Sequence, residues 1–376
     1  MQQFLTRRNQ ELLHKVQILI QATEQAQVPV ELEPYREHIR DICNALREPI
    51  NLSLAHLQLN QSDIFEDVLS NTKQITELVN LISSRLAIPI LRASLTDQLS
   101  LHIIGWLHQE HSQTANYPPA FADGFYSIFP FQLAPIYFIP VVEQKGLLYQ
   151  PLLFHEYGHL LYICHKAEMD DLVSDLRQEI VDLLRPVSQR NDRYSEVQAN
   201  KRQIIADTWY NWTQELFCDA VGFEIGGPCF LYAFSSFLSS LNEADFHRQP
   251  NDLWMSTHPV SWLRVRFLIE RAKKRGFSNL ADVVWNEWCM TAEVMGLTED
   301  YYGFYHNSLS QPVNETLEDM LEEAAPRRYT ELEKTGDKWV PTTDSPVRLL
   351  NWAWQVYKKS PATYAGWEAE QLKYLF

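Results

Sequence analysis

The 376-residue sequence lacks the features that mark several large classes of protein. No apolar run reaches the ~18–20 residues of a membrane span, and the N-terminal segment has no apolar stretch typical of a signal peptide. Positive charge is also scarce, because 32 Lys and Arg face 48 Asp and Glu, a net charge of −16. A general binder of nucleic acid or anionic membrane needs the opposite balance, so both classes are disfavoured.

Cysteine is scarce and scattered. The five cysteines are odd in number and form no C-x-x-C pair: Cys43, Cys164, Cys218, Cys229 and Cys289. This usage predicts a reducing compartment and no disulfide framework. Together with the missing signal peptide and membrane span, it predicts a cytoplasmic protein.

The composition that remains, 45% hydrophobic and 21% charged, is typical of a globular protein. Apolar residues repeat at helical spacing through the first hundred residues, and further helices are expected at about 170–184, 199–223 and 228–241. Proline, glycine and aromatics gather near residues 111–125, which indicates a boundary. We therefore predict a mainly α (α+β) fold with a small mixed sheet, divided into an N-terminal helical domain (1–112), a central domain (113–298) and a C-terminal helical extension (299–376).

The central segment contains the motif H-E-x-x-H, formed by His155, Glu156 and His159. On a helix, positions i and i+4 lie on one face, so both imidazoles can reach one metal ion. Glu156 lies beside them and could take a proton from a metal-activated water. With 12 histidines in 376 residues, the motif arises by chance with a probability of about 0.03. A buried helix with hydrogen-bonded histidines is the alternative.

A third ligand for such a metal ion is available in the sequence WTQELFCDAVGF, residues 212–223. Glu215 and Asp219 are again i and i+4, and their neighbours are apolar, so two unpaired carboxylates would be costly to bury. We interpret Glu215 as a metal ligand and Asp219 as the acceptor that orients a ligating histidine. Cys218, between them, could modulate the zinc, but a small buried side chain on a packed helix is the favoured interpretation. A solvated acidic stripe on an amphipathic helix is the alternative.

A third feature lies in the segment 256–277. Pro259 suits the first turn of a helix and Ser256 or Thr257 suits its cap. His258 would then stand at the helix start, where it could stabilise an oxyanion. Arg264 could pair with Asp219. The alternative is a capping segment with a surface histidine and a surface arginine.

Taken in order, these three pieces resemble the zinc metalloproteases of the CAAX prenyl protease and HtpX type, within the gluzincins. The resemblance rests on HEYGH at 155–159, on Glu215 and Asp219, and on the His-Pro pair followed by Arg264. It implies a zincin-like core holding one Zn²⁺ per chain, with His155, His159 and Glu215 as ligands. It further implies Glu156 as general base, His258 as stabiliser of the transition state, and Asp219 and Arg264 as supporting residues.

The same resemblance concerns the segment 134–142, the best strand candidate in the chain. It implies that Ile136, Tyr137, Phe138 and Ile139 form an edge strand that holds a peptide substrate by strand addition. Members of that family are usually embedded in membranes, whereas this sequence has no span, so a membrane substrate is not carried over. The flanking helices, 1–112 and 299–376, could bind a regulatory protein partner, cover the cleft, or keep the protease inactive.

The leading prediction is therefore a soluble zinc endopeptidase acting on a protein or peptide, constitutive or regulated. Two alternatives remain: a zinc-binding protein without proteolysis, and a helical partner-binding protein in which the motif is accidental. A second metal site at His102, His108 and His111 is disfavoured, because no carboxylate or thiol completes it.

Overall fold

The structure, a computed structural model, describes residues 1–59, 64–94, 97–131, 134–185, 193–241, 247–254, 256–333, 339–340 and 344–373. The chain forms two compact units, Met1–Lys145 (unit 1) and Gly146–Phe376 (unit 2). This division differs from the predicted one in both boundaries. The segment 113–145, with its strands, packs into unit 1, and the helices after residue 298 pack into unit 2.

Both units are mainly helical, and a three-stranded mixed sheet accounts for the strands that the described residues form. The predicted mainly α class with a small mixed sheet is confirmed at this level. Within the described part of the chain, no helix has the length and apolarity needed to cross a membrane.

The first helix of unit 1 packs against four other helices, and its buried residues Leu5, Leu12 and Val16 form one apolar face. Its helices are α1 (Gln2–Gln25), α2 (Glu33–Ala45), α3 (Arg47–Gln58), α4 (Phe65–Leu81), α5 (Ile88–Arg92) and α6 (Gln98–Gln109).

The sheet of unit 1 places the predicted strand in the middle. Strand β3 (Ile136–Ile139) pairs in parallel with β1 (Ala120–Asp123) and antiparallel with β2 (Ser127–Phe129), in the order β1-β3-β2. The strand itself is confirmed, but the prediction that Ile136, Tyr137, Phe138 and Ile139 form an edge is wrong. Both hydrogen-bonding edges of β3 are used within the sheet, so a substrate cannot pair with it.

Unit 2 is all helical in its described residues. Its helices are α7 (Leu153–Cys164), α8 (Lys166–Leu183), α9 (Arg193–Gly226), α10 (Pro228–Ser239), α11 (Pro250–Leu253), α12 (Ser261–Lys274), α13 (Ser278–Val294), α14 (Ser310–Ala324), α15 (Pro346–Lys359) and α16 (Pro361–Leu372). The three helices predicted within 170–241 are all present.

Helix α9 is the centre of unit 2. It packs against α7, α8, α10, α12, α14 and α15, and it buries Trp209, Trp212 and Phe217 completely. Because it is surrounded on most sides, α9 lacks the narrow apolar stripe of a surface helix. Several polar residues of its C-terminal part therefore lie in the interior of unit 2 and need partners there: Thr208, Thr213, Glu215, Asp219 and Glu224.

Candidate metal centre

Helix α7 carries the H-E-x-x-H motif in a buried segment. Leu153, Phe154, Leu160 and Leu161 are fully buried around it, so apolar packing fixes the helix that holds the two histidines. The rings of His155 and His159 lie one turn apart, with centroids 5.0 Å apart and planes nearly perpendicular. This is the i, i+4 arrangement expected from the sequence.

The facing helix α9 brings two carboxylates to the same place. Glu215 and Asp219, also one turn apart, are almost fully buried. The two helices approach closely at Gly158 of α7, where an added Cβ would lie only 2.7 Å from the Cα of Cys218. Glycine is therefore required at position 158 to let the carboxylates of α9 reach the histidines of α7.

His155, His159 and Glu215 form a group that could hold a metal ion, since one ligand atom from each lies within 4.8 Å of the others. Nε2 of His155 is 3.6 Å from Oε2 of Glu215, and Nε2 of His159 is 3.7 Å from Oε1. These separations exceed a hydrogen bond. They are near the ~3.3 Å that separates two ligands of a tetrahedral ion bound at 2.0–2.1 Å.

The hydrogen bonding and the charge of the Glu215 carboxylate are also consistent with a cation at this position. Its Oε2 is buried and no described group donates a hydrogen bond to it, although Nη2 of Arg264 lies 3.3 Å away. A buried carboxylate oxygen without a hydrogen bond is costly unless a charge compensates it. Burial works against its ionised form, but Arg264 and the three nearby histidines together lower the pKa of Glu215 below its usual value.

Asp219 links the metal-binding group to Arg264. Its Oδ1 lies 2.8 Å from Nδ1 of His155, and Arg264 donates two hydrogen bonds to the carboxylate, from Nε at 2.8 Å and Nη2 at 2.6 Å. Burial opposes the ionised carboxylate, but this bidentate pair lowers the pKa of Asp219. Burial likewise opposes a charged imidazole, yet Asp219 raises the pKa of His155. The predicted pairing of Asp219 with Arg264 is present, and Nδ1 of His155 lies within hydrogen-bonding distance of the same carboxylate.

Glu156 lies in the same buried segment of α7 as the two histidines. Burial raises the pKa of its carboxyl to about 7, with the Glu215 carboxylate adding to the rise and His155 opposing it. A carboxyl group with this pKa can both take and return a proton near neutral pH. Its environment therefore suits the acid–base role predicted from the motif.

His258 reaches the same group from a third segment. Its Nε2 lies 3.4 Å from Oε1 of Glu215, and its Nδ1 is 2.8 Å from the Thr257 hydroxyl. In contrast to its buried neighbours, the His258 side chain is 53% exposed. It is the solvent-facing member of the cluster, so a substrate group can approach it.

The helix after His258 begins later than predicted. Helix α12 starts at Ser261, with Val260 as its N-cap, and Pro259 precedes it. Ser256 is not the cap either, because its hydroxyl accepts a hydrogen bond from Nε1 of Trp212 and donates one to the carbonyl of Leu253. His258 thus lies in the connecting segment before α12, and its carbonyl accepts a hydrogen bond from Nη1 of Arg248 at 3.1 Å.

Two further side chains, Phe234 and Cys218, contact the site, and no role was predicted for Phe234. The ring of Phe234, on α10, stacks on His155 with centroids 5.8 Å apart, and the Arg264 guanidinium lies 4.8 Å above its centre. The Sγ atom of Cys218 lies 3.4 Å from Nδ1 of His159. Complete burial, together with the nearby carboxylates, raises the pKa of the Cys218 thiol. No sequence spacing marks Phe234, since it lies on a different helix from its neighbours.

Two of the three histidines considered for a second site, His108 and His111, have other partners. Nε2 of His108 lies 2.9 Å from the Tyr137 hydroxyl and its Nδ1 3.3 Å from the Thr114 carbonyl, while Nδ1 of His111 contacts the Leu107 carbonyl. Among the described residues, one group of three His, Cys, Asp or Glu side chains is placed so that it could hold a metal ion. It consists of His155, His159 and Glu215.

Comparison of the chain with protein-family models, with curated proteins and with solved structures found no match. The chemistry of the site therefore rests on its own geometry.

Proposed function

We propose that the protein is a zinc-dependent endopeptidase of the gluzincin type. The observation that carries the proposal is the convergence of His155, His159 and Glu215 at ligand separations, beside a buried Glu156 whose pKa is about 7. Two imidazoles and a carboxylate are the donor set of many catalytic zinc sites, which leave a fourth position open.

Each residue of the cluster then has a role. His155, His159 and Glu215 would hold a zinc ion, which would supply Lewis-acid activation of a water and of the scissile carbonyl. Glu156 would act as the general base that accepts a proton from the attacking water and returns it to the leaving amine. His258, the exposed member, donates a hydrogen bond to the developing oxyanion. Asp219 and Arg264 hold His155 in place, as partners of metal-ligating histidines commonly do.

The substrate is proposed to be a protein or peptide. Because β3 is paired on both sides, an extended substrate would have to lie elsewhere than along Ile136–Ile139. Binding of a regulatory partner to the N-terminal or C-terminal helices stays a prediction.

The first prediction concerns Glu156. Elemental analysis should find one zinc ion per chain in the wild-type protein and in Glu156→Gln. Proteomic mapping of cleavage products in cells should find sites that depend on wild-type protein and disappear with Glu156→Gln, because glutamine cannot accept the proton. A loss of about 10²-fold or more is expected for removal of a general base.

Glu179→Gln is the matched control, because this glutamate is exposed on α8 of the same unit. It should retain both zinc and cleavage. Zinc binding with no cleavage that depends on Glu156 would instead favour a zinc-binding protein without proteolysis. A metal-free protein that is unchanged by His155→Ala would contradict both and leave a helical interaction protein.

A further inference from the structure

The closest approach of α7 and α9 occurs beside the two metal-binding histidines. An added Cβ at Gly158 would lie 2.7 Å from Cα, 3.0 Å from Cβ and 3.2 Å from Sγ of Cys218. The Cys218 side chain is completely buried in this contact. The space at position 218 therefore admits only a small side chain, and its direction is set by the packing of the two helices.

Within this contact, the sulfur of Cys218 faces one nitrogen of a proposed ligand. Sγ lies 3.4 Å from Nδ1 of His159, whereas Nε2 of the same ring faces Oε1 of Glu215 at 3.7 Å. The thiol and the metal-binding group thus lie on opposite sides of the His159 ring. A neutral imidazole that binds a metal through Nε2 carries its hydrogen on Nδ1.

We propose that Cys218 is a positioning residue for His159, accepting a hydrogen bond from Nδ1–H and so holding Nε2 toward the metal ion. This inference rests on the proposed metal site. The two ligating histidines then have unlike partners: the charged carboxylate of Asp219 for His155, and a neutral thiol for His159. Such outer partners fix the tautomer and the ring orientation of a ligand.

Sulfur suits this position for two physical reasons. The carbon–sulfur bond is longer than a carbon–oxygen bond, so a thiol reaches Nδ1 from a backbone that Gly158 holds in close contact. A neutral acceptor also avoids placing a third negative charge beside Glu215 and Asp219, which lie one turn apart on the same helix. Alanine at position 218 would leave Nδ1–H of His159 without this acceptor.

The test compares zinc affinity among variants of the full-length protein, measured by competition with a chromophoric chelator. Cys218→Ala should bind zinc about 10–100-fold more weakly than wild type. Cys218→Ser keeps an acceptor in the same position, so its zinc affinity should lie between those of wild type and Cys218→Ala. Cys229→Ala is the matched control, because Cys229 is an equally buried thiol of unit 2 whose Sγ contacts the Gly226 carbonyl. It should leave zinc affinity unchanged.

A spectroscopic readout separates positioning from general destabilisation. In protein with ¹⁵N-labelled histidine, the buried His108 and His111 should give ring N–H signals with or without zinc. Two further slowly exchanging ring N–H signals are expected on zinc loading, one from each ligating histidine. Cys218→Ala should shift or broaden the His159 signal and leave the His155 signal, which reports the contact with Asp219. Cys229→Ala should alter neither.

The outcomes distinguish this inference from the proposed function. If wild type and Cys218→Ala bind zinc equally well and show the same ring N–H signals, Cys218 has no positioning role, whatever the protein cleaves. If cobalt-substituted wild type shows a sulfur-to-metal charge-transfer band that Cys218→Ala lacks, the thiol is a ligand and the inference is wrong.

If zinc affinity and the ring N–H signals behave as expected but no peptide is cleaved, the inference holds and the proposed proteolytic function is wrong. No metal binding by wild type overturns both.

Discussion

Burial opposes the charged form of each buried histidine, and the groups that face the ring decide whether its pKa ends above or below the usual value. His155 is buried beside Asp219, which outweighs burial and raises its pKa. Burial lowers the pKa of His159 to about 4, with the neighbouring His155 adding to the effect. In unit 1, burial lowers the pKa of His108 to about 3. A carboxylate partner thus decides which histidine tolerates a charge.

A second prediction follows for His108, which lies outside the candidate site. In the unfolded chain a histidine takes up its proton near pH 6.5, whereas folded His108 stays neutral down to about pH 3. The free energy of unfolding therefore decreases by ~1.4 kcal/mol for each pH unit below 6.5. The decrease ends near pH 3, where folded His108 also takes up a proton. Between pH 7 and pH 5, His108 should lower the free energy of unfolding of unit 1 by about 2 kcal/mol.

Hydrogen exchange of the α6 amides at several pH values measures this dependence. His108→Gln removes the titration and keeps polar atoms for Tyr137 and Thr114, so its free energy of unfolding should vary less with pH than that of wild type. His14→Gln, on the exposed face of α1, should have the wild-type slope. Equal slopes for wild type and His108→Gln would contradict the assignment.

At the scale of the elements, the site depends on how closely two helices pack. Helices α7 and α9 each present an i, i+4 pair, and neither pair alone completes a metal-binding group. Their contact at Gly158 brings the pairs to ligand distance. The glycine in the middle of α7, unfavourable for an isolated helix by about 1 kcal/mol, is thus explained by tertiary packing.

A third prediction tests this contact. Gly158→Ala should destabilise metal-free unit 2 by about 1–3 kcal/mol, because the new Cβ meets backbone, which cannot move aside as a side chain can. Gly366→Ala is the control in the same unit, since an added Cβ there meets nothing within 4 Å. It should stabilise α16 by up to about 1 kcal/mol. Urea unfolding measures both, and equal effects of the two substitutions would contradict the packing argument.

At the scale of the whole molecule, the candidate metal site lies entirely in unit 2. The proposed ligands His155, His159 and Glu215 all fall within Gly146–Phe376. The same is true of the other site residues, Glu156, Asp219, His258 and Arg264. Unit 1 contains the sheet and contributes none of these side chains. The predicted division at residues 112 and 298 would have assigned the sheet and the metal site to one domain.

A fourth prediction follows from this division. A fragment spanning residues 146–376 should bind one zinc ion with the stoichiometry of the full chain, because every proposed ligand is present. Elemental analysis, with circular dichroism to show that the fragment is helical, checks this. A folded fragment that binds no zinc would show that unit 1 is needed to form the site.

The sequence by itself determined the parts of the site that lie within one helix. Residues i and i+4 of a helix lie on the same face, so the His155–His159 and Glu215–Asp219 pairs could be predicted without a structure. The pairing of Asp219 with Arg264 was also predictable, because a buried carboxylate needs a cation. The mainly α class followed from the same periodicity.

Only the tertiary structure decided what depends on contacts between elements. The central position of β3 depends on strand pairing across loops, which strand sequence does not encode, so the edge assignment was wrong. The start of α12 at Ser261 was also missed, because Ser256, a predicted cap, instead bonds to Trp212 and to the Leu253 carbonyl. The contacts of Phe234 and Cys218 with the histidines arise where separate helices meet, and such contacts are set by packing distance rather than by spacing along the chain.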